Sequence, residues 1–241
     1  MNMSATLTCL SSGSSGNGYI LRADNDILIL EAGVPFKECS KALAHDISKV
    51  KAVICSHGHK DHSAYIKQYQ NHGLTVYSNA DVASDFDGVK ELEPMKKYHF
   101  GGFTVIPLRV VHGDCPNFAY HITLPDGQTL LFATDLEHFG YCFKGINHLA
   151  IECNFSDDIR IDAMLNGAEL RAQSRNHMEI GETICTINRL KSPELSSIIL
   201  LHLSDGLSNA KGFKKRIFEE CGVKAEVAEK NKVFDLQKEE F

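Results

Sequence analysis

The stretch His57-Gly58-His59-Lys60-Asp61-His62 places three imidazoles and one carboxylate within six residues, directly after the predicted buried strand Ala52–Cys55. On a loop, His57 and His59 can point at one metal ion while Asp61 and His62 point at a second. Imidazole nitrogens and carboxylate oxygens are ligands that suit Zn²⁺, Mn²⁺ or Fe²⁺. The stretch therefore predicts a metal site, because chance rarely produces this combination in a solvated polar loop.

Three later residues stand where the edge of a sheet would present them. His112, Asp135 and His202 each come just after an apolar segment. Taken with the H-x-H-x-D-H stretch, they make this chain resemble the metallo-β-lactamase-fold hydrolases. The resemblance implies an α/β (α+β) fold, the metallo-β-lactamase αββα sandwich, with two mixed sheets covered by helices. It is expected to form one domain over residues 1–241.

The resemblance also implies a ligand set for two divalent metal ions, Zn or Mn. One ion would be held by His57, His59 and His112, the other by Asp61, His62 and His202, with Asp135 bridging them.

Glu152 and His177 narrow the expected chemistry. Glu152 follows an apolar segment, and His177 precedes a predicted helix. This pair resembles the phosphodiesterase branch of the family, such as RNase Z, in which the Glu orients a His that protonates the leaving oxygen. An acid of this kind is needed when an alkoxide leaves. Asp61, Glu152 and His177 are accordingly the expected catalytic residues.

The segment Leu10–Asn17 reads Leu-Ser-Ser-Gly-Ser-Ser-Gly-Asn, and predicted strands flank it on both sides. A tight loop whose backbone N–H groups point at a ligand fits this position better than a flexible linker. The segment resembles the opening of the YycJ/WalJ-like proteins, which are linked to DNA exonuclease activity. Ser14, Ser15 and Asn17 are the expected substrate-binding residues.

These features together predict a dinuclear metal-dependent phosphodiesterase. A hydroxide held between the metals would be the nucleophile, and His177 would be the general acid. The expected substrate is a nucleic acid end, most simply single-stranded DNA, or another nucleotide phosphodiester. The main alternative is a cyclic-nucleotide phosphodiesterase. A thioesterase of the glyoxalase II type and a catalytically silent nucleotide-binding protein stay open as further readings.

Composition bounds the remaining choices. The chain has 241 residues, 43% of them hydrophobic and 23% charged, which excludes a disordered chain, a collagen-like repeat and a coiled coil. With 25 Lys and Arg against 31 Asp and Glu, the net charge of −6 excludes a strongly basic nucleic-acid coat protein. We expect no signal peptide and no membrane span, so the eight scattered cysteines are expected to be reduced thiols in the cytoplasm. A homodimer is suggested by the family resemblance alone.

Two further positions depart from the family pattern. Glu31 stands where the family often has Asp, and its longer carboxylate is expected to support the metal loop from behind. His138 follows Asp135 closely and is expected to be an ordinary loop histidine.

Apolar runs predict the following elements. The strands are Thr6–Leu10, Tyr19–Ala23, Ile27–Leu30, Ala52–Cys55, Thr75–Tyr77, Phe103–Arg109, Phe118–Leu124, Thr129–Ala133, His148–Cys153, Ile198–Leu201 and Ala225–Ala228. The helices are Phe36–Ala44, Ala64–Asn71, Ile180–Leu190 and Gly212–Glu220.

Overall fold

A computed structural model describes residues 5–168 and 176–237 and contains two seven-stranded sheets. The first sheet has the order β14-β1-β2-β3-β4-β5-β6. Its β14, β1, β2 and β3 are antiparallel neighbours, whereas β3 to β6 run parallel. Its strands are β1 (Ala5–Ser11), β2 (Gly18–Ala23), β3 (Asp26–Leu30), β4 (Val50–Ile54), β5 (Val76–Ser78), β6 (Lys90–Glu91) and β14 (Val233–Asp235).

The second sheet is also mixed and has the order β13-β12-β11-β10-β9-β8-β7. Strands β7 to β10 pair antiparallel, and β10 to β13 pair parallel. Its strands are β7 (Tyr98–Phe100), β8 (Phe103–Val110), β9 (Asn117–Thr123), β10 (Thr129–Ala133), β11 (His148–Glu152), β12 (Ser197–Leu201) and β13 (Ala225–Val227).

Alternate side chains of both sheets pack into one apolar core between them. In β3, Leu28 and Leu30 face this core, whereas Ile27 and Ile29 face the opposite side of the sheet. This alternation follows from the two-residue period of a strand. The rings of Tyr19 in the first sheet and Phe132 in the second meet edge to face at 5.2 Å. This contact helps to hold the two sheets face to face.

Helices cover both outer faces, which completes the αββα sandwich. Apolar residues of α1, α3 and α4 pack on the first sheet, and those of α6 and α7 pack on the second. Helix α6 buries residues spaced at helical period on one side, which explains why its extent is predictable from sequence. The helices are α1 (Phe36–Ala42), α2 (Lys60–Ser63), α3 (Ile66–Asn71), α4 (Ala80–Asp85), α5 (Asp157–Leu165), α6 (Ile180–Leu190) and α7 (Ala210–Cys221).

The predicted fold class and sandwich are confirmed, and most predicted strands agree with the structure to within one or two residues. The predicted helix Phe36–Ala44 ends at Ala42, because the backbones of Ala44 and His45 turn left-handed, with φ of 50° and 63°. The sequence analysis did not predict β6, β7, β14, α2, α4 or α5. Three of these are strands of two or three residues, too short for a period to show. That the chain forms one domain stays a prediction.

Among the described residues, no helix combines the length and apolarity that crossing a membrane would need. All eight cysteines lie in the described part of the chain, and each is a free thiol.

Candidate metal centre

Parallel strands bring the polar residues together at one edge of the sandwich. Strands β10, β11 and β12 run parallel, so the residues at their carboxyl ends, Asp135, Glu152 and His202, are neighbours. In the facing sheet, β3 and β4 also run parallel and lead into Glu31 and His57. All five side chains are buried. Residues far apart in the chain therefore converge because each follows a strand of the same direction.

The loop after β4 is held in place from beneath by Glu31. The Glu31 Oε2 atom accepts a hydrogen bond from the backbone N–H of Ser56 at 3.1 Å and lies 3.3 Å from Nδ1 of His62. The Ser56 hydroxyl is 2.9 Å from Nδ1 of His57. These contacts orient both imidazoles, which fits the expected supporting role of Glu31.

A first group of ligand atoms comes from His57, His59 and His112. Their candidate ligand atoms all lie within 4.8 Å of one another. His112 donates its Nδ1–H to the carbonyl oxygen of Asn176 at 2.8 Å, which leaves the Nε2 lone pair free. That Nε2 faces Nδ1 of His59 at 3.1 Å. Burial, together with the neighbouring imidazole of His62, holds the pKa of His57 well below its usual value, so its ring is neutral. Neutral imidazole is the form that binds a metal.

A second group comprises Asp61, His62, Asp135 and His202. The Nε2 atom of His62 lies 3.1 Å from Oδ1 of Asp135 and 3.4 Å from Oδ2 of Asp61. The Nε2 atom of His202 lies 3.6 Å from the same Asp61 oxygen. Asp135 also reaches the first group, with its Oδ2 atom 3.8 Å from Nε2 of His112. It thus stands between the two groups, as expected for a bridging carboxylate.

The electrostatics of the second group favour a cation. Burial alone would raise the pKa of Asp135, but His202 and His62 hold it well below its usual value, so the carboxylate is ionised. Burial would lower the pKa of His202, but Asp135, Asp61 and Glu152 raise it to about 10. The buried carboxylates thus favour positive charge in this group, carried by a protonated imidazole when no metal is bound. A divalent ion would take the place of such protons, because imidazole binds a metal in its neutral form.

The donor set fits one or two divalent metal ions. The Nε2 atoms of His57 and His202 are buried and have no hydrogen-bond partner among the described residues. A buried polar atom without a partner costs about 1–3 kcal/mol, so such atoms call for a ligand. Nitrogen and carboxylate oxygen donors suit Zn²⁺ and Mn²⁺. The structure brings all seven predicted ligands together, and their individual roles stay predictions.

Glu152 connects the metal groups to His177. Its Oε1 atom lies 2.7 Å from Nδ1 of His177 and 3.1 Å from Nδ1 of His202. Its Oε2 atom accepts backbone N–H groups from Leu136 at 2.8 Å and Met178 at 3.3 Å. With both oxygens occupied in this way, Glu152 is better suited to orient imidazoles than to bind a metal. Burial would lower the pKa of His177, but Glu152 raises it above its usual value.

An open cavity of about 790 Å³ leads to this cluster. Its walls include five of the seven candidate ligands and the exposed side chain of Lys60, which forms no ion pair in the described part of the chain. The lining residues are Ser14, His59, Lys60, Asp61, His112, Asp114, Cys115, Asp135, Asn176, His177 and His202.

The three expected substrate-binding residues differ in their exposure and in what they contact. Ser14 lines the cavity, and Ser15 is exposed. Asn17 is fully buried, and its side chain contacts Asp61 and His62 instead of facing the cavity. His138 is exposed, as expected for a loop histidine.

Comparison with known protein families establishes the superfamily of this chain. A family described as "Beta-lactamase superfamily domain" matches residues 33–203 of the chain. This chain belongs to the β-lactamase superfamily. The predicted metallo-β-lactamase-fold hydrolase is thereby confirmed, whereas the closer resemblance to YycJ/WalJ-like proteins stays a prediction.

Solved structures of the β-lactamase superfamily fold align over nearly the whole chain. The metallo-β-lactamase fold protein YhfI from Bacillus subtilis is 20% identical, with a TM-score of 0.75, over 96% of this chain and 99% of its own. A diphosphatase of the PhnP family is 15% identical, with a TM-score of 0.70, over 98% of both chains. Human tRNase Z, short form, is 12% identical, with a TM-score of 0.62, over 95% and 98%. Identities this low show the shared fold alone.

A curated relative, an octanoyltransferase from Porphyromonas gingivalis, is 26% identical over 199 residues. The alignment covers 73% of this chain and 36% of the relative. This chain thus spans about a third of the length of the relative it matches. The relative's name describes the whole of that longer protein, and it assigns no activity to the matching third.

Three polar residues near the superfamily metal loops were not singled out from sequence. Asn154 donates its Nδ2–H to the carbonyl oxygen of His202 at 2.7 Å, and Asn117 donates to the carbonyl oxygen of Thr134 at 3.0 Å. Ser12 accepts the backbone N–H of His202 at 2.8 Å. A polar residue directly beside an apolar strand is the signal that could have found the two asparagines.

Proposed function

We propose that this chain is a dinuclear metal-dependent phosphodiesterase. The observation that carries the proposal is the pair formed by Glu152 and His177 beside the ligand groups, at an Oε1–Nδ1 distance of 2.7 Å. Hydrolysis of a phosphodiester expels an alkoxide, which needs a proton donor. Hydrolysis of a lactam or a thioester has less need of such a proton donor, so it would not explain this pair.

Each residue has a distinct part in the proposed reaction. When bound, two divalent ions supply a low-pKa water as nucleophile and neutralise charge on the phosphoryl oxygens. Asp135 stands between the two groups and fixes the position of one group relative to the other. His177 holds one proton at Nδ1 against Glu152 and carries the transferable proton at Nε2. Its side chain is 18% exposed and lines the cavity, so a leaving oxygen can reach it.

The general acid is tested by varying the leaving group. We expect His177→Ala to lower kcat on a thymidine dinucleotide, whose alkoxide leaves poorly, by about 10²–10⁴-fold. On bis(p-nitrophenyl) phosphate, whose phenolate needs no proton, the loss should be under about 10-fold. Metal content should stay that of the wild type. Equal losses on both substrates, or full activity on the dinucleotide, would remove His177 as the acid.

The substrate class within phosphodiesters is proposed from the cavity. Lys60 places a cation without an ion-pair partner among the described residues of the cavity wall, where a phosphate of the substrate can reach it. Two of the structural neighbours are named as a diphosphatase and a tRNase Z, and both names refer to phosphate chemistry. We propose nucleic acid ends, with single-stranded DNA as the first substrate to examine.

Product length separates the nuclease from its main alternative. Protein loaded with Mn²⁺ is incubated with a 5′-phosphorylated single-stranded DNA oligonucleotide. Stepwise release of mononucleotides supports an exonuclease of the YycJ/WalJ type. An intact oligonucleotide together with hydrolysis of a cyclic nucleotide supports the alternative phosphodiesterase. The metal site and His177 serve both reactions.

Two further proposals concern the setting of the chain. Eight free thiols fit the proposed cytoplasmic location, where cysteines stay reduced. A homodimer is proposed from family resemblance alone, and light scattering in solution tests it.

A further inference from the structure

The loop Ser11–Gly16, with Asn17 after it, lies against the metal loop along its backbone. The N–H of Asn17 donates to the carbonyl oxygen of Asp61 at 2.7 Å, and the N–H of Gly33 donates to the carbonyl oxygen of Asn17 at 2.9 Å. Three separate segments of the chain are thereby joined next to a metal ligand. We refer to residues 11–17 as the Ser/Gly loop.

The side chain of Asn17 is oriented so that its amide nitrogen faces the second ligand group. Its Oδ1 atom accepts the N–H of Gly13 at 2.9 Å, and its Nδ2 atom donates to the carbonyl oxygen of Gly13 at 3.2 Å, so Gly13 fixes the orientation of the amide. Nδ2 lies 3.3 Å from Oδ2 of Asp61 and 2.9 Å from Nε2 of His62. An amide nitrogen donates hydrogen bonds and offers no lone pair to a metal. The contact with Nε2 of His62 uses the lone pair that a metal would take, whereas the carboxylate oxygen of Asp61 can accept the amide N–H and still bind a metal through its second lone pair. Asn17, which is fully buried, is therefore placed to hold Asp61 and not to act as a ligand itself.

The same loop reaches a third ligand through Ser12. The Ser12 hydroxyl accepts the N–H of His202 at 2.8 Å and also accepts the Tyr19 hydroxyl at 2.7 Å. The backbone of His202 is left-handed, with φ of 51°, a conformation that residues other than glycine adopt at a cost. A hydrogen bond to its N–H helps to keep it there.

We propose that Asn17 and Ser12 are positioning residues that hold the second group in its metal-binding arrangement. The Ser/Gly loop contacts Asp61, His62 and His202, and within the described residues it makes no hydrogen bond with the three histidines of the first group. Its role is therefore selective for one of the two ions. This inference rests on the proposed two-metal site. It gives the loop a function besides facing substrate through Ser14.

Metal titration of Asn17→Ala tests the proposal without any activity assay. Metal-free protein is titrated with Zn²⁺ against a chromophoric chelator, and native mass spectrometry counts the ions. We expect the wild type and the matched control Asn25→Ala, at an exposed turn residue outside the site, to bind two ions alike. Asn17→Ala should bind one ion as the wild type does and the other about 10–100-fold more weakly. Wild-type affinity for both ions, or equal weakening of both, would overturn the proposal.

A double variant shows which ion is affected. Asn17→Ala combined with His112→Ala damages both groups, so it should retain no tightly bound ion. One ion held at wild-type affinity in this double variant would contradict the assignment to the second group. Thermal unfolding of each variant establishes that it is folded. If Asn17→Ala does not fold, Ser12→Ala tests the same proposal and should weaken the same single ion.

Failure of the inference and failure of the proposed function give different results. Fewer than two ions in the wild type would remove the dinuclear site itself. Two ions in the wild type, with unchanged affinities in both Asn17→Ala and Ser12→Ala, would remove only the role of the Ser/Gly loop.

Discussion

The two carboxylate oxygens of Glu152 make different contacts, because Oε1 faces two imidazoles and Oε2 accepts two backbone N–H groups. Replacing Glu152 by Gln should keep the backbone contacts and change those with the imidazoles. In the variant, the amide oxygen is expected to keep the N–H groups of Leu136 and Met178. The amide NH₂ then faces the Nδ1 atoms of His177 and His202. Both imidazoles must accept a hydrogen bond at Nδ1, so each carries its proton at Nε2.

The consequences for these two histidines differ. His177 loses the carboxylate that raises its pKa, so it is no longer held as the protonated acid. His202 loses the free Nε2 lone pair that a metal needs. We expect kcat/KM on a thymidine dinucleotide to fall about 10³-fold or more, equivalent to about 4 kcal/mol in the barrier. Affinity for one metal ion should fall about 10–100-fold.

The assay compares Glu152→Gln with His177→Ala in dinucleotide hydrolysis and in metal titration. His177→Ala should lose the acid and keep both ions, whereas Glu152→Gln should lose the acid and weaken one ion. Glu182→Gln, on helix α6, serves as the matched control for the substitution itself. If Glu152→Gln hydrolyses the dinucleotide within 10-fold of the wild type and binds both ions equally well, the reasoning about tautomers is refuted.

Two other predictions concern folding. A Cβ atom on Gly33 would lie 1.6 Å from the carbonyl oxygen of Asp61. Gly33→Ala should therefore lower the free energy of unfolding by more than about 3 kcal/mol and disturb metal binding. Gly58→Ala should keep near wild-type stability, because its Cβ would meet only a side-chain carbon at 3.7 Å; equal melting temperatures would contradict this contrast. Burial of His148 lowers its pKa to about 4, so the unfolded chain takes up a proton first as the pH falls. Wild-type stability should therefore drop between pH 6.5 and 4 by up to about 3 kcal/mol more than that of His148→Gln, and parallel pH profiles in denaturant titrations would show this to be wrong.

The ligand set could be predicted from sequence because each ligand follows an apolar strand. His57 to His62 form a local motif, and Asp135 and His202 come directly after β-branched and apolar runs. Parallel strands then bring such residues to one edge whatever their separation along the chain. The fold class follows from the same pattern.

The conformations and contacts that complete the site could not be predicted in this way. The backbone is left-handed at three residues of the site, with φ of 69° at Glu31, 53° at Asp135 and 51° at His202. None of them is glycine, the residue type that adopts this conformation most readily. The surrounding structure imposes these conformations. The role of Asn17 likewise depends on Asp61, 44 residues away, so no local pattern reveals it.

The most direct test of the account is hydrolysis of an unactivated phosphodiester by protein of known metal content. The account predicts turnover of a thymidine dinucleotide that disappears after chelation and returns when two equivalents of Zn²⁺ or Mn²⁺ are restored. Loaded protein that binds two ions and still leaves every nucleotide phosphodiester intact would contradict it.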